Sequence, residues 1–259
     1  MTAASPPVAA TPHVSAVTWI NIFTRMLAIQ GSWNYETLLG NGVGFCVEPA
    51  LRLLPGGVRG PAFKAAMTRE SAYFNAHPYL ASVAIGALVR VELSGVPPAH
   101  IERFRTALCG PLGSVGDRLV WAGWLPFCSL IGLLCFGLGS GPAAVLVTFF
   151  VLYNAGHLAL RVWGLHVGWT RGLGVASALA NPVLRQGPTH LARAASAIAG
   201  VALPLTVARL LGHHVALLGA VLGAAALAAV VLVRLHGRVE GYKAALVLIA
   251  LFALVSVVR

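Results

Sequence analysis

Three short segments carry most of the polar side chains that could do chemistry. The first is Gln30-Gly31-Ser32-Trp33-Asn34-Tyr35-Glu36. Amides can both donate to and accept from hydroxyl groups, the carboxylate of Glu36 can accept, and the rings of Trp33 and Tyr35 can stack on a flat ligand face. Read as helix, Gln30 and Asn34 stand at i,i+4 and share a face, with Glu36 off it. The competing reading is an interfacial helix start with Trp33 and Tyr35 as headgroup anchors. The second segment is Tyr73-Phe74-Asn75-Ala76-His77-Pro78-Tyr79. The residue before a proline is pushed out of the α region, so His77-Pro78 should end a helix and leave Asn75 and His77 at its terminus. There they either meet a ligand or merely cap the break. The third is Cys109-Gly110-Pro111-Leu112-Gly113-Ser114-Val115-Gly116-Asp117-Arg118, which holds the only Asp of the chain. Its glycines suit a tight re-entrant turn, with Asp117 anchoring the turn and paired with Arg118. The plainer alternative makes Asp117 an N-cap.

None of these groups forms a recognised catalytic constellation. No Ser-His-Asp order, HExxH or paired-carboxylate spacing stands out, and no phosphate loop is present. The four cysteines, Cys46, Cys109, Cys128 and Cys135, lack metal-ligand spacing and read as small buried hydrophobes. No metal or cofactor is expected.

The elements that must position these groups are set by composition. The 259 residues are 58% hydrophobic and only 10% charged, with a mean hydropathy of +0.82. An ordinary soluble domain is about one quarter charged, so this chain lacks the charge to coat a water-facing surface. The 29 glycines also suit membrane helices. A disordered chain, a coiled coil and a typical cytosolic enzyme are excluded, and a polytopic membrane protein is left. The 18 Lys and Arg against 7 Asp and Glu, formally +11, mostly lie between hydrophobic runs. They read as charge flanking the membrane beside anionic headgroups, not as a nucleic-acid surface. Residues Met1 to Pro12 lack a basic n-region, so no cleavable signal peptide is expected.

Leu119 to Leu160 contains no charged residue. One crossing takes about 20 residues, so this run predicts two, near 119–138 and 142–163, broken at Gly137-Leu138-Gly139-Ser140-Gly141-Pro142. Three further apolar stretches follow: Ala194 to Ala208, interrupted by Pro204, then Leu210 to Val233, then Ala244 to Val258. The first 118 residues differ. Arg25 interrupts 19–29, Glu48 and Arg52 interrupt 38–54, and 62–75 is amphipathic with Lys64, Arg69 and Glu70. Interfacial or re-entrant helices fit there. Such irregular backbone survives at membrane depth only when buried in protein or lining a cavity. The expected fold is all-α: a polytopic integral membrane protein with interfacial or re-entrant N-terminal helices and about five hydrophobic C-terminal helices.

At the same three segments the sequence resembles the IID membrane component of the mannose/fructose/sorbose family of sugar phosphotransferase systems (PTS). The matching words are Gln30 to Glu36, Tyr73 to Tyr79, and Gly110 to Asp117 followed by Trp121. A fourth is Phe149-Phe-Val-Leu-Tyr-Asn154, with Arg161 and the 164–172 stretch after it. The resemblance covers about residues 19 to 175. It implies a multi-pass subunit of the cell inner membrane that is not catalytic by itself. It implies a IIC partner, in a trimer of IIC–IID pairs, and a hexose moved inward while cytoplasmic IIB, charged by IIA, phosphorylates it. The phosphoryl-carrying histidines then belong to IIA and IIB, not to His77. It divides the chain into a disordered tail at 1–15, a transport core at 16–190 and C-terminal hydrophobic helices at 191–259. Gln30, Trp33, Asn34, Glu36, Asn75, His77 and Asp117 become the candidate substrate-binding residues. The sequence departs from the family pattern at Arg118, usually small or proline, at Leu125, usually basic, and in the short connector near Gly212 to His214. These departures motivate an alternative: a IID-like protein that has lost transport and serves regulation or assembly.

Overall fold

The structure, a computed structural model, describes residues 13–211 and isolated helical positions at 219, 223, 226, 227 and 230. The helices are α1 (Ala16–Leu27), α2 (Gly40–Leu51), α3 (Pro61–Glu70), α4 (Ala81–Leu93), α5 (Pro98–Gly116), a π-helical segment (Asp117–Trp124), α6 (Leu125–Gly137), α7 (Pro142–Arg171), the single turn α8 (Ala176–Leu179) and α9 (Pro182–Leu211). No named strand occurs among the described residues.

Two kinds of helix are present. The helices α1 to α4 run 10 to 13 residues, about 15–20 Å at 1.5 Å per residue, too short to cross a hydrocarbon core of ~30 Å. They form a packed unit around α4, in which every residue from Ala81 to Val89 is buried. A helix apolar all round has no polar stripe to offer solvent and belongs at the centre of a fold. By contrast, Pro98–Gly137, Pro142–Leu179 and Leu184–Leu211 are long and apolar enough to cross a membrane. Their outward faces, including Leu146, Val147, Phe150 and Val151 of α7, stay exposed.

α7 joins the two parts by lying against α4 at van der Waals closeness. A Cβ on Gly168 would stand 2.2 Å from the Val83 carbonyl oxygen, and one on Gly86 would stand 2.2 Å from that of Leu165. Small residues at such a crossing let two backbones touch where lipid supplies no hydrophobic drive.

Most of the described basic residues are exposed, but several are committed to helix ends, and Arg105 and Arg161 are buried. A helix C-terminus leaves four carbonyls unpaired and carries partial negative charge. Four arginines answer this on helices other than their own. Arg105 donates to the carbonyls of Arg69, Glu70 and Ala72 at the end of α3. Arg161 donates to Met26 at the end of α1. Arg90 donates to Trp169 and Thr170 at the end of α7, and Arg209 to Phe136 and Ser140 at the end of α6. Ion pairs use others: Arg25 and Arg52 both hold Glu48, at 2.8 and 2.6 Å, and Arg69 grips Glu92 with two bonds of 2.8 and 2.7 Å.

Several sequence expectations need correction. The glycine-rich stretch at 110–116 is not a re-entrant turn and Asp117 is not an N-cap, because α5 runs through it into the π segment and α6 as one rod of 40 residues. Glycine lowers helix propensity by only about 1 kcal/mol, and packing outweighs that. Pro111 and Pro126 are both accommodated within the rod, Pro126 just after the π segment. The break at 137–142 stands as expected, with Gly139 at φ 104°, but α7 continues to Arg171, past residue 163. The stretch near 194–208 belongs to a 30-residue helix that passes through Pro188 and Pro204. Ser15, placed in the tail, caps α1 by accepting the Thr18 N–H at 3.2 Å, and Val14 is buried. The segment 212–214 and the last two apolar stretches lie wholly or largely outside the described residues.

Candidate functional site

Backbone bonds bring the three polar words together. Residues 28–37 form turns, not the helix on which Gln30 and Asn34 would share a face. Asn34 makes the turn: its Oδ1 accepts the N–H groups of Glu36 and Thr37, both at 2.9 Å, and its Nδ2 donates to Ser32 O and Thr37 Oγ1. This use of Asn to mimic a backbone turn is followed by Leu38 at φ 50°, a conformation uncommon for a non-glycine residue. The turn is stitched to the second word by Leu39 N–H to Phe74 O, 3.0 Å, and Phe74 N–H to Thr37 O, 3.1 Å. The second word leans on the third through His77 N–H to Leu112 O, 3.4 Å. Gly116 permits this, because a Cβ there would sit 2.1 Å from the Cβ of His77.

The result is a cavity of about 430 Å³ lined by Gln30, Trp33, Asn75, His77 and Asp117, together with Cys109, Gly110, Gly113, Ser114 and Trp121. Five of the seven residues singled out in the sequence therefore meet at one place. Asn34 and Glu36 do not line it: Asn34 holds the loop and Glu36 is exposed. Arg118 makes no ion pair with Asp117. Successive residues on a helix point to different sides, and Arg118 instead donates to its own helix at Ser114 O, 3.1 Å.

His77 is the most constrained group in the wall, at 1% exposure. Its Nδ1 accepts the Tyr79 N–H at 3.2 Å, so the ring proton is assigned to Nε2. Burial first, and the charge of Arg161 second, hold the imidazole below its ordinary pKa, so the ring is neutral at pH 7. Nε2 is buried and has no hydrogen-bond partner. A neutral ring with one unspent N–H is a donor suited to a hydroxyl or carbonyl oxygen.

Behind His77 lies an aromatic wall that the site reading of the sequence did not include. Tyr79 Oη shares a 2.8 Å hydrogen bond with Tyr153 Oη and stacks on His157, centroids 4.8 Å apart. The Arg161 guanidinium lies 4.8 Å over the Tyr79 ring, and Trp121 stands 5.0 Å from His77. The signal was available: Tyr153, His157 and Arg161 are spaced i, i+4, i+8 on one face of a helix. The π segment divides two environments. Asp117 and Trp121 face the polar cavity, while Leu119, Val120 and Trp124 face an apolar one of about 380 Å³ between the π segment, α7 and α9. π segments inside α-helices occur mostly at functional sites.

Among the described residues, an all-helical fold with three apolar helices of crossing length and a polar cavity beside them defines a membrane-embedded protein with a ligand-sized polar site. The chain belongs to the PTS mannose/fructose/sorbose family IID component, whose pattern it matches over residues 13–202. It is 30% identical over 173 residues to the mannose-specific EIID component of Escherichia coli (strain K12), covering 64% of this chain and 59% of that one. It is 29% identical over 168 residues to the fructose permease IID component of Bacillus subtilis (strain 168), covering 62% and 59%. It is 29% identical over 177 residues to the sorbose-specific EIID component of Klebsiella pneumoniae, covering 64% and 61%. The chain thus spans less than two thirds of the length of these relatives. Among solved structures it is similar to the cryo-EM structure of the mannose transporter ManYZ in complex with microcin E492, with a TM-score of 0.56, 26% identity, and 76% of this chain and 70% of that one covered. A second, described as a membrane protein, gives a TM-score of 0.64 at 25% identity, covering 73% and 70%.

Proposed function

We propose that this chain is the IID subunit of a phosphotransferase-type sugar transporter. It acts with a IIC partner in the cell inner membrane, as a trimer of IIC–IID pairs, and helps to translocate a hexose that IIB phosphorylates after IIB is charged by IIA. It is a transport subunit, not a phosphoryl carrier. The short helices α1 to α4 are interfacial or re-entrant, and about five hydrophobic helices follow. Residues 16–190 form the transport core and 191–259 a second, hydrophobic unit, with the join inside α9.

The observation that carries the reading is the polar cavity. Its lining pairs stacking rings (Trp33, Trp121) with amides (Gln30, Asn75) and a carboxylate (Asp117), groups suited to a hexose, beside His77, whose Nε2 is buried and without a hydrogen-bond partner. Gln30, Trp33, Asn75 and Asp117 are exposed on the cavity's open side, where a IIC partner would close the site. Asn34 serves by fixing this loop, and Glu36 stands beside it, free to meet the partner or the sugar. The family match and the similarity to a structure named for mannose transport do not favour a chain that has lost transport, and Arg118 occupies an exposed helix face outside the cavity lining.

Co-expression with the cognate IIC, IIA and IIB tests this. Asp117→Asn and Gln30→Ala leave the packed core untouched, so the complex should assemble normally. Losing a hydrogen bond to a charged group costs about 1.5–3 kcal/mol, so sugar uptake at limiting concentration should fall by roughly tenfold or more for Asp117→Asn. Unchanged uptake by both assembled variants would remove the cavity from the sugar path.

A further inference from the structure

Two walls of the polar cavity are fastened to one side chain that does not line it. Arg161 of α7 is 4% exposed and lies outside the cavity lining. Among the described residues it forms no ion pair, whereas the equally buried Arg105 stands 3.2 Å from a carboxylate oxygen of Glu70. Its Nε is buried and without a hydrogen-bond partner. A charge held inside a membrane protein without a carboxylate beside it is expensive, and such a residue is a functional candidate by default. Two contacts offset the cost. The guanidinium donates through Nη1 to the Met26 carbonyl at the end of α1, where the helix carries partial negative charge. It also lies 4.8 Å over the Tyr79 ring, whose face attracts a cation.

Each contact is the root of one wall. From Met26 the chain leaves α1 by successive turns: the Ile29 N–H bonds back to Met26 O at 3.4 Å, the Gly31 N–H to Ala28 O at 2.9 Å and the Trp33 N–H to Gln30 O at 3.1 Å. These turns set where Gln30 and Trp33 stand in the cavity. Tyr79 in turn holds His77. Its N–H donates to the imidazole Nδ1 at 3.2 Å, and the two rings meet edge to face at 5.0 Å. Two further groups of α7, the Tyr153 hydroxyl and the His157 ring, grip Tyr79. Arg161 adds to that grip and reaches the Gln30 wall as well.

We propose that Arg161 is the positioning residue of the sugar site, a single guanidinium that fixes the Gln30–Trp33 wall relative to the His77–Tyr79 wall. This rests on the reading of the polar cavity as the sugar path. The planar guanidinium suits the task, because it can lie flat on a ring while an N–H at its edge reaches a carbonyl. A lysine ammonium is a compact point charge on a flexible stem and does not hold both partners in one geometry. A ligand gripped by several hydrogen bonds feels such spacing: a misplacement of about 1 Å caused by a remote mutation can cost about a hundredfold.

The experiment uses the full chain assembled with its IIC partner and supplied with IIA and IIB. The probe is labelled mannose, fructose or sorbose, the sugars of the family's name, whichever the wild type accumulates fastest. Initial uptake rates are measured against concentration for the wild type, Arg161→Lys and Asp117→Asn, each normalised to assembled complex. Arg161→Lys should raise the apparent KM roughly tenfold while the maximal rate per complex is retained. A residue that merely caps α1 would lower the yield of complex and leave the KM of the remainder unchanged, and that result would overturn the proposal. Asp117→Asn separates the positioning role from the reading beneath it. A raised KM there beside a wild-type KM for Arg161→Lys overturns the positioning role alone, whereas wild-type values for both overturn the sugar path with it. If Arg161→Lys does not assemble, Tyr79→Leu and Tyr79→Phe take its place. Phe keeps a ring beneath the guanidinium and Leu removes it, so Leu should raise the KM by the larger factor. Equal values for the two would overturn the proposal.

Discussion

The region before α5 and the region after it house their charges in opposite ways. In the first, short helices bury their charges against one another, and α4 is enclosed on every side. In the second, three long helices show apolar faces outward and keep few charges. Lipid satisfies no backbone group, so a long helix succeeds by bonding to itself, whereas a set of short ones must find caps. That is why Arg90, Arg105 and Arg161 end on the carbonyls of other helices. The polar cavity forms where the two solutions meet, at the junction of α5 with the π segment.

This contrast can be broken by mutation, most severely in the first region. Arg105→Leu strips three carbonyls of their donor and leaves Glu70 without its nearest cation. Removing one partner of a buried pair costs about 3–5 kcal/mol, enough to abolish a folded, monodisperse complex in detergent as judged by size-exclusion chromatography. A variant that elutes as the wild type does would show that the caps are dispensable. Next comes the join. Gly168→Val places a side chain against the α4 backbone, and overpacking of this kind costs about 1–3 kcal/mol. The unfolding midpoint should drop by several degrees while detergent extraction still succeeds. Smallest is the outer face of α7: Leu146→Ala should shift stability by less than about 0.5 kcal/mol, within the scatter of a midpoint measurement. An effect there as large as at Gly168 would mean that this face is covered by protein.

The second region was the more legible in the sequence. An uncharged run from Leu119 to Leu160 has few other readings, and the Gly137–Pro142 break needs only turn chemistry. The first region resisted because its logic is long-range. That Arg105 caps α3 and that Asn34 builds a turn docked on Phe74 depend on contacts 33 to 37 positions apart. The site was legible as words and not as geometry. Residue types drew attention to Gln30, Trp33, Asn75, His77 and Asp117, and the fold brought them together. The helical reading of the Gln30 segment misplaced Asn34 and Glu36 because turn formation by an Asn side chain overrode an i,i+4 pattern. The glycines of 110–116 suggested a turn, yet the helix is continuous there: Gly116 seats His77, while a Cβ on Gly110 or Gly113 would meet nothing within 4 Å.

The central proposal is that the cavity holds a sugar beside His77. Its most direct test is nitrogen NMR of histidine-labelled protein in the assembled IIC complex, titrated with the transported hexose, with His77→Gln identifying the resonance. The account predicts a neutral ring protonated at Nε2 at pH 7, whose Nε2–H signal moves saturably as sugar is added. A His77 resonance that stays fixed through saturating sugar, while uptake by the same preparation is intact, would contradict it.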